Sequence, residues 1–162
     1  MKKTYSIGND RSLTIAHNNE QLRIEEQDSN KWATFTPSRW ASFLLCLDEI
    51  DHQLEKLSKG EDVAYRNHYG GGWHISVTSG FACVDLRKFY LPADRTECKP
   101  TKTGIALRLT EWAMFKEWIN VVQSDNLTVA GFLPCFLNRD HTTQLGIKAC
   151  SECNPFPSSV FK

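Results

Sequence analysis

No stretch of this 162-residue chain approaches the roughly 18 consecutive apolar residues that a membrane-spanning helix requires. The opening residues carry Lys2 and Lys3 but no apolar core of the secretory kind, so no signal peptide is expected there and the protein is expected to be intracellular. Net charge is absent too: 19 Lys and Arg offset 19 Asp and Glu, which argues against a wholly basic nucleic-acid coat protein. Phosphate-loop and Gly-x-Ser-x-Gly signatures are missing. His17, His52, His68 and His74 are scattered without a partner acid at recognisable spacing, so no catalytic site and no enzyme is expected. Reduced thiols in a cell exclude a disulfide framework, which leaves the six cysteines as core residues or metal ligands. The sequon Asn126-Leu127-Thr128 would stay unused without secretion.

What is present is the composition of a globular protein, 41% hydrophobic and 23% charged, long enough for one core or for two small units sharing one. Residues 1–60 read as strands followed by a helix. Thr4 to Ile15, Gln21 to Glu26 and Lys31 to Phe35 have strand composition, with Gly8-Asn9-Asp10 and His17-Asn18-Asn19 as turns. Thr36 is a helix N-cap and Pro37 suits the first helical position. Trp40, Phe43, Leu44, Leu47, Ile50, Leu54 and Leu57 then recur at helical spacing, and Gly60 marks the end. After Gly70-Gly71-Gly72 the pattern returns in residues 61–123. The segments "WHISV", "FACVDLRKFY" and "GIALRL" are strands, and a helix capped by Thr110 places Trp112, Phe115, Ile119 and Val122 on one face. The helix entries are alike, Phe35-Thr36 before Trp40 and Phe43, Leu109-Thr110 before Trp112 and Phe115. The expected fold is α+β: two β-β-β-β-α units whose helices pack together as an intramolecular pseudo-dimer with curved antiparallel sheets. Residues 124–162 would form a short Cys/His tail.

The charge is unevenly placed. Residues 1–62 carry 8 basic and 11 acidic side chains, whereas residues 63–123 carry 8 and 5. Arg87, Lys88, Arg95, Lys99, Lys102 and Arg108 gather on one predicted hairpin against Asp94 and Glu97. A Lys-rich hairpin by itself has the composition of an ordinary solvated face, and Phe89 or Trp112 alone suits a core.

The order of residues on that hairpin carries more. Leu86-Arg87-Lys88-Phe89-Tyr90, Lys99-Pro100-Thr101-Lys102-Thr103-Gly104-Ile105, then Leu107, Leu109 and Trp112, resembles the single-stranded DNA-binding domain of the positive cofactor 4 family of transcriptional coactivators. "YSIGNDRSLTI" and "FTPSRWASFLLCLDEIDHQL" resemble that domain's opening strand and closing helix, which makes the chain a tandem of two diverged copies. The resemblance implies a dimer-like channel for single-stranded DNA in transcription or replication, built here from one chain, and a nuclear location. It implies Arg87, Lys88, Tyr90, Lys99 and Lys102 as nucleic-acid-binding residues, with Arg95 in support and Gly104 as a turn glycine. Cations would track phosphates while Tyr90 stacks on a base. Strict alternation puts Arg87 and Phe89 on one face and Lys88 and Tyr90 on the other, so a twist or bulge is expected. The chain departs from the family where "TSGFACVD" and "AHNNEQ" lack basic hairpin tips. Arg66, Trp73 and His74 are available to compensate. A second reading therefore stands beside the first: a protein-interaction module that kept the fold and lost the channel. Single-stranded DNA is the first expected partner, RNA the second, and transcription machinery a protein partner. No membrane is expected as a partner, and the chain is expected as a monomeric pseudo-dimer or a weak homodimer.

The tail holds Cys135-x5-His141-x8-Cys150-x2-Cys153. Cys-x2-Cys with two further soft ligands is a zinc-knuckle spacing, so Cys135, His141, Cys150 and Cys153 are expected metal ligands and zinc the expected ion. Unbound, the same thiols would merely pack or stay free. Cys46 and Cys83 are expected in the core and Cys98 in solvent.

Overall fold

The computed structural model describes residues 3–7, 13–18, 21–27, 29–93, 97–125, 134–137 and 150–156. Four strands, β1 (Lys3–Ser6), β2 (Leu13–Asn18), β3 (Gln21–Glu26) and β4 (Trp32–Phe35), pair antiparallel in sequence order. Two helices follow, α1 (Pro37–Leu44) and α2 (Leu47–Ser58). A second four-stranded sheet runs β5 (Ala64–Gly70), β6 (Trp73–Thr78), β7 (Phe81–Tyr90) and β8 (Lys99–Arg108), again antiparallel in order, and leads into α3 (Leu109–Asp125). A short 3-10 turn covers Cys135–Leu137.

Local chemistry accounts for the element ends. Thr36 Oγ1 accepts from the Arg39 amide at 3.3 Å, and Pro37 opens α1, where its missing N–H is not needed. Glu111 reaches back to accept from the Arg108 amide at 2.8 Å at the start of α3. Gly60 closes α2 with a positive φ of 78°. The helix expected from Pro37 through Leu57 is interrupted at Leu45 and Cys46. There Leu45 is exposed, while Cys46 is buried and its thiol turns to the Ser42 carbonyl at 3.5 Å.

Alternation along the strands builds a single core. Leu22 and Ile24 of β3, Ala33 and Phe35 of β4, Trp73, Ile75 and Val77 of β6, Val84 and Leu86 of β7 and Ile105 and Leu107 of β8 all point into it. The helices close it with aromatic edges. Trp40 meets Phe115 at 6.1 Å, and Phe43 meets Trp112 at 6.0 Å and Phe115 at 5.8 Å, all near T-shaped. Asp51 of α2 locks the pair from outside, accepting from Trp112 Nε1 at 3.1 Å and Lys116 Nζ at 2.9 Å. The apolar stripes of the helices are thus satisfied within one chain. Each unit of about 60 residues would be marginal alone, and neither has a core separate from the other.

Candidate nucleic-acid interface and metal centre

One face of the second sheet lies away from the core. By register it carries Arg66 and His68 of β5, His74 and Ser76 of β6, and Asp85, Arg87 and Phe89 of β7. Arg87 makes a two-pronged contact with Asp85, 3.0 and 3.1 Å, and donates to the Thr101 carbonyl at 3.0 Å. Its charge is therefore already shared. Phe89 sits against the His74 ring at 4.4 Å between centroids, under the Arg66 guanidinium at 4.9 Å. Burial pushes His74 down to about 4, with neighbouring His68 and Arg66 acting the same way against the Gly72 carbonyl. Burial also lowers His68. Both imidazoles are therefore neutral near pH 7.

The β7–β8 register is irregular beside Arg87, but the extra residues lie in β8 and not in the Arg87–Tyr90 stretch of β7. Arg87 pairs with Gly104, whereas Phe89 pairs with Pro100, so two extra residues of β8 are accommodated among Thr101, Lys102 and Thr103. Beyond this bulge Tyr90 pairs with Lys99. Tyr90, Lys99 and Lys102 are all exposed. Lys99 lies 3.7 Å from Glu97, a loose surface pair. Lys88 turns elsewhere and donates its ammonium to the Gly71 carbonyl at 2.9 Å. Arg95 lies outside the described residues. The structure therefore gathers Tyr90 with Lys99 and Lys102 around the bulged end of the sheet, and sets Arg87 on the buried-aromatic face with Phe89.

Gly104 sits inside β8 rather than in a turn. A Cβ there would meet the Leu86 carbonyl oxygen at 2.6 Å and Arg87 Cα at 2.8 Å, so it is close strand approach that demands glycine. Cys83, expected in the core, instead shares the outward groove with Phe81, Ser76 and Ala106. Phe81 is 68% exposed, an aromatic at the sheet's other end that charge-based reading passed over.

Residues 75–118 match the family model described as Transcriptional Coactivator p15 (PC4). The matched segment runs from Ile75 of β6 to Trp118 of α3 and takes in the whole bulged hairpin. No curated protein and no solved structure matches the chain. The coactivator match covers none of β1 to β4, α1 or α2.

The tail presents a different chemistry. The thiols of Cys135, Cys150 and Cys153 all lie within 4.8 Å of one another, close enough to hold a metal ion. Cys135 Sγ and Cys150 Sγ are 3.8 Å apart. A tetrahedron with Zn–S bonds of about 2.3 Å has S···S edges of about 3.8 Å. Cys150 is held by a turn in which the Asn154 amide donates to its carbonyl at 2.8 Å. Burial works to raise its thiol, but the backbone amides of Cys153 and Glu152 together with the Cys135 and Cys153 thiols leave it lowered. Burial raises Cys135 and Cys153. His141 lies outside the described residues. Among the described residues no helix is long and apolar enough to cross a membrane.

Proposed function

We propose that this protein binds single-stranded nucleic acid, DNA in the first place, through the bulged β7–β8 end of its second sheet, and acts in transcription as a coactivator-like factor in the nucleus. The supporting observation is the register that sets exposed Tyr90 opposite exposed Lys99 with Lys102 in the adjacent bulge, inside the segment that matches the coactivator family. Single-strand binders combine stacking aromatics with cations that follow the backbone, and each stacked base contributes about 1–3 kcal/mol. Arg87 and Lys88 are read as supporting cations although each already has a partner within the fold, and Arg95, outside the described residues, is read as a further one. The two sheet-and-helix halves are read as diverged copies forming a pseudo-dimer, with residues 1–60, 61–123 and 124–162 as its parts.

The binding surface is one-sided. On the first sheet Arg23 lies over the Trp32 ring at 4.4 Å and pairs with Glu25 at 3.0 Å, so its aromatic and its cation are engaged with each other. That same observation favours the second reading, in which the first sheet's face serves a protein partner. A titration of the full chain with labelled single-stranded DNA, duplex DNA and RNA at two salt concentrations separates the two. Counterion release requires affinity for the single strand to fall steeply with salt. Salt-independent or undetectable binding to all three leaves the protein-interaction reading.

The tail cluster is read as a zinc site completed by His141. Three thiols within 4.8 Å of one another, one pair at the tetrahedral edge of 3.8 Å, suit zinc, which in such a site has a structural role.

A further inference from the structure

Three consecutive glycines, Gly70, Gly71 and Gly72, connect β5 and β6 with φ values of 136°, 60° and 89°. A hairpin connection needs positive φ at one or two residues, not at three. What crowds these glycines supplies the rest of the reason. A Cβ on Gly70 would meet Glu152 Oε1 at 2.5 Å and Arg39 Cγ at 2.7 Å, a Cβ on Gly71 would collide with the Arg39 guanidinium, and one on Gly72 would touch the Phe156 ring at 3.4 Å. Glu152 and Phe156 belong to the tail, and Glu152 lies inside the Cys150–Cys153 knuckle itself.

The contacts at this seat are specific. Both oxygens of Glu152 engage the Arg39 guanidinium of α1, through Nε and through a second bond of 3.0 Å. This pair is only 18% and 28% exposed, and Glu152 raises the Arg39 guanidinium further. The Gly71 amide donates to the Glu152 carbonyl at 2.9 Å. Behind it, Lys88 holds the Gly71 carbonyl. The second half of the metal cluster, Cys135, sits in the 3-10 turn, whose Phe136 lies beside Ser42, Leu45 and Cys46 where α1 gives way to α2.

We infer that the cysteine cluster is a metal-dependent clasp. An ion joining Cys135 to Cys150 and Cys153 fixes Glu152 between Arg39 of the first unit and the Gly70–Gly72 turn of the second, and so fastens the two halves together. The inference rests on the zinc reading of the tail. Ion binding orders a short segment that has few apolar anchors of its own, and the clasp conveys that order to both units. The triple glycine is the seat of the clasp, not a linker. Because Lys88 is anchored on Gly71, the clasped turn also fixes one ammonium group near the C-terminal end of β7.

The test uses the full chain, stripped of metal under reducing conditions and titrated with zinc chloride. One zinc per chain is expected by elemental analysis. Hydrogen exchange should slow at least ten-fold on zinc addition, both in the 70–73 turn and around Arg39. The thermal midpoint should rise by about 5–10 °C at zinc a hundred-fold above its Kd. Glu152→Gln keeps all the thiols, so it should still bind zinc, about ten-fold more weakly, as loss of a supporting contact does. It should also lose the protection at 70–73. Arg39→Gln, at the other end of the pair, should show the same loss. If zinc binds stoichiometrically but protects only residues of the tail, the clasp is wrong and the zinc reading stands. A metal content near zero with the thiols reduced overturns both.

Discussion

At the residue scale, the second sheet divides its aromatics between two tasks. Phe89 is buried by His74 and Arg66, and Tyr90, one position on, is 47% exposed. Tyr90→Ala should therefore weaken single-strand binding by about 1–3 kcal/mol while leaving the salt slope nearly unchanged. Lys99→Ala and Lys102→Ala should each reduce that slope by about one and weaken binding to all sequences alike. Fluorescence titrations at several salt concentrations read both effects, and unchanged binding in all three folded variants would place the site elsewhere. The sequence order of these residues was readable, and so was the need for a bulge. Which strand carried the bulge was not, because strand alternation is a property of one chain segment, whereas register belongs to two. The clasp was hidden for a related reason. The Cys150-x2-Cys153 spacing is visible along the chain, but Glu152 finds Arg39 across 113 residues, and no local pattern announces that pair.

The buried imidazole gives a pH signature at the same scale. His74 ionises at about 4 in the fold against 6.5 in a free side chain, so the unfolded state binds the proton more tightly. The stability this implies is complete above pH 6.5, and falls as pH drops toward 4. His68, shifted in the same direction, adds to it. Thermal midpoints compared between pH 6.5 and 5, above the main carboxylate range, should decline in the native chain. The decline should be shallower in His74→Gln, which does not titrate. An identical decline in the two would remove His74 from the cause.

At the element scale, the fold was legible wherever apolar residues alternate. β6, β7 and β8 follow that pattern, and the helices follow the 3.6-residue repeat, although the break between α1 and α2 did not show in it. β5 does not, since in "AYRNHYG" the core side carries half-buried Tyr65, exposed Asn67, whose Nδ2 meets the Cys46 sulfur at 3.0 Å, and buried Tyr69, which stacks on Phe35 at 5.3 Å. Inward polar tips erase the two-residue period on which strand reading depends. Gly104 is the element's sharpest constraint. Its missing Cβ lets β8 close on β7 beside the bulge, and the atoms in the way are backbone, which cannot swing aside. Gly104→Ala should therefore destabilise the chain by about 1–3 kcal/mol, the usual range for overpacking. It should also weaken single-strand binding, because the pairing that aligns Tyr90 with Lys99 begins just beyond it. Denaturant midpoints measure the first effect, and an unchanged midpoint would mean the strands separate at no cost.

At the scale of the whole molecule, the question is whether a second copy is needed. The apolar faces of α1 and α3 are consumed against each other through Trp40, Phe43, Trp112 and Phe115, all buried. Among the described residues the large hydrophobics left exposed are Leu45, Phe81, Tyr90, Leu109, Val121, Phe136 and Leu137. Phe81 and Tyr90 stand at opposite ends of β7, and Leu45 and Phe136 line one depression at the α1–α2 break. A stable dimer interface buries at least about 1,200 Å² around an apolar centre, and these scattered side chains do not make one. Covalent linkage of the two halves already supplies the high effective concentration that a dimer would otherwise need. The chain should therefore run as a monomer in light scattering at micromolar concentration. Because, among the described residues, the second sheet presents exposed Tyr90 opposite exposed Lys99 whereas Trp32 of the first is covered by Arg23, the chain should take up one single-stranded oligonucleotide at saturation. An obligate dimer binding two strands would mean that the pairing of halves described within this chain occurs instead between chains.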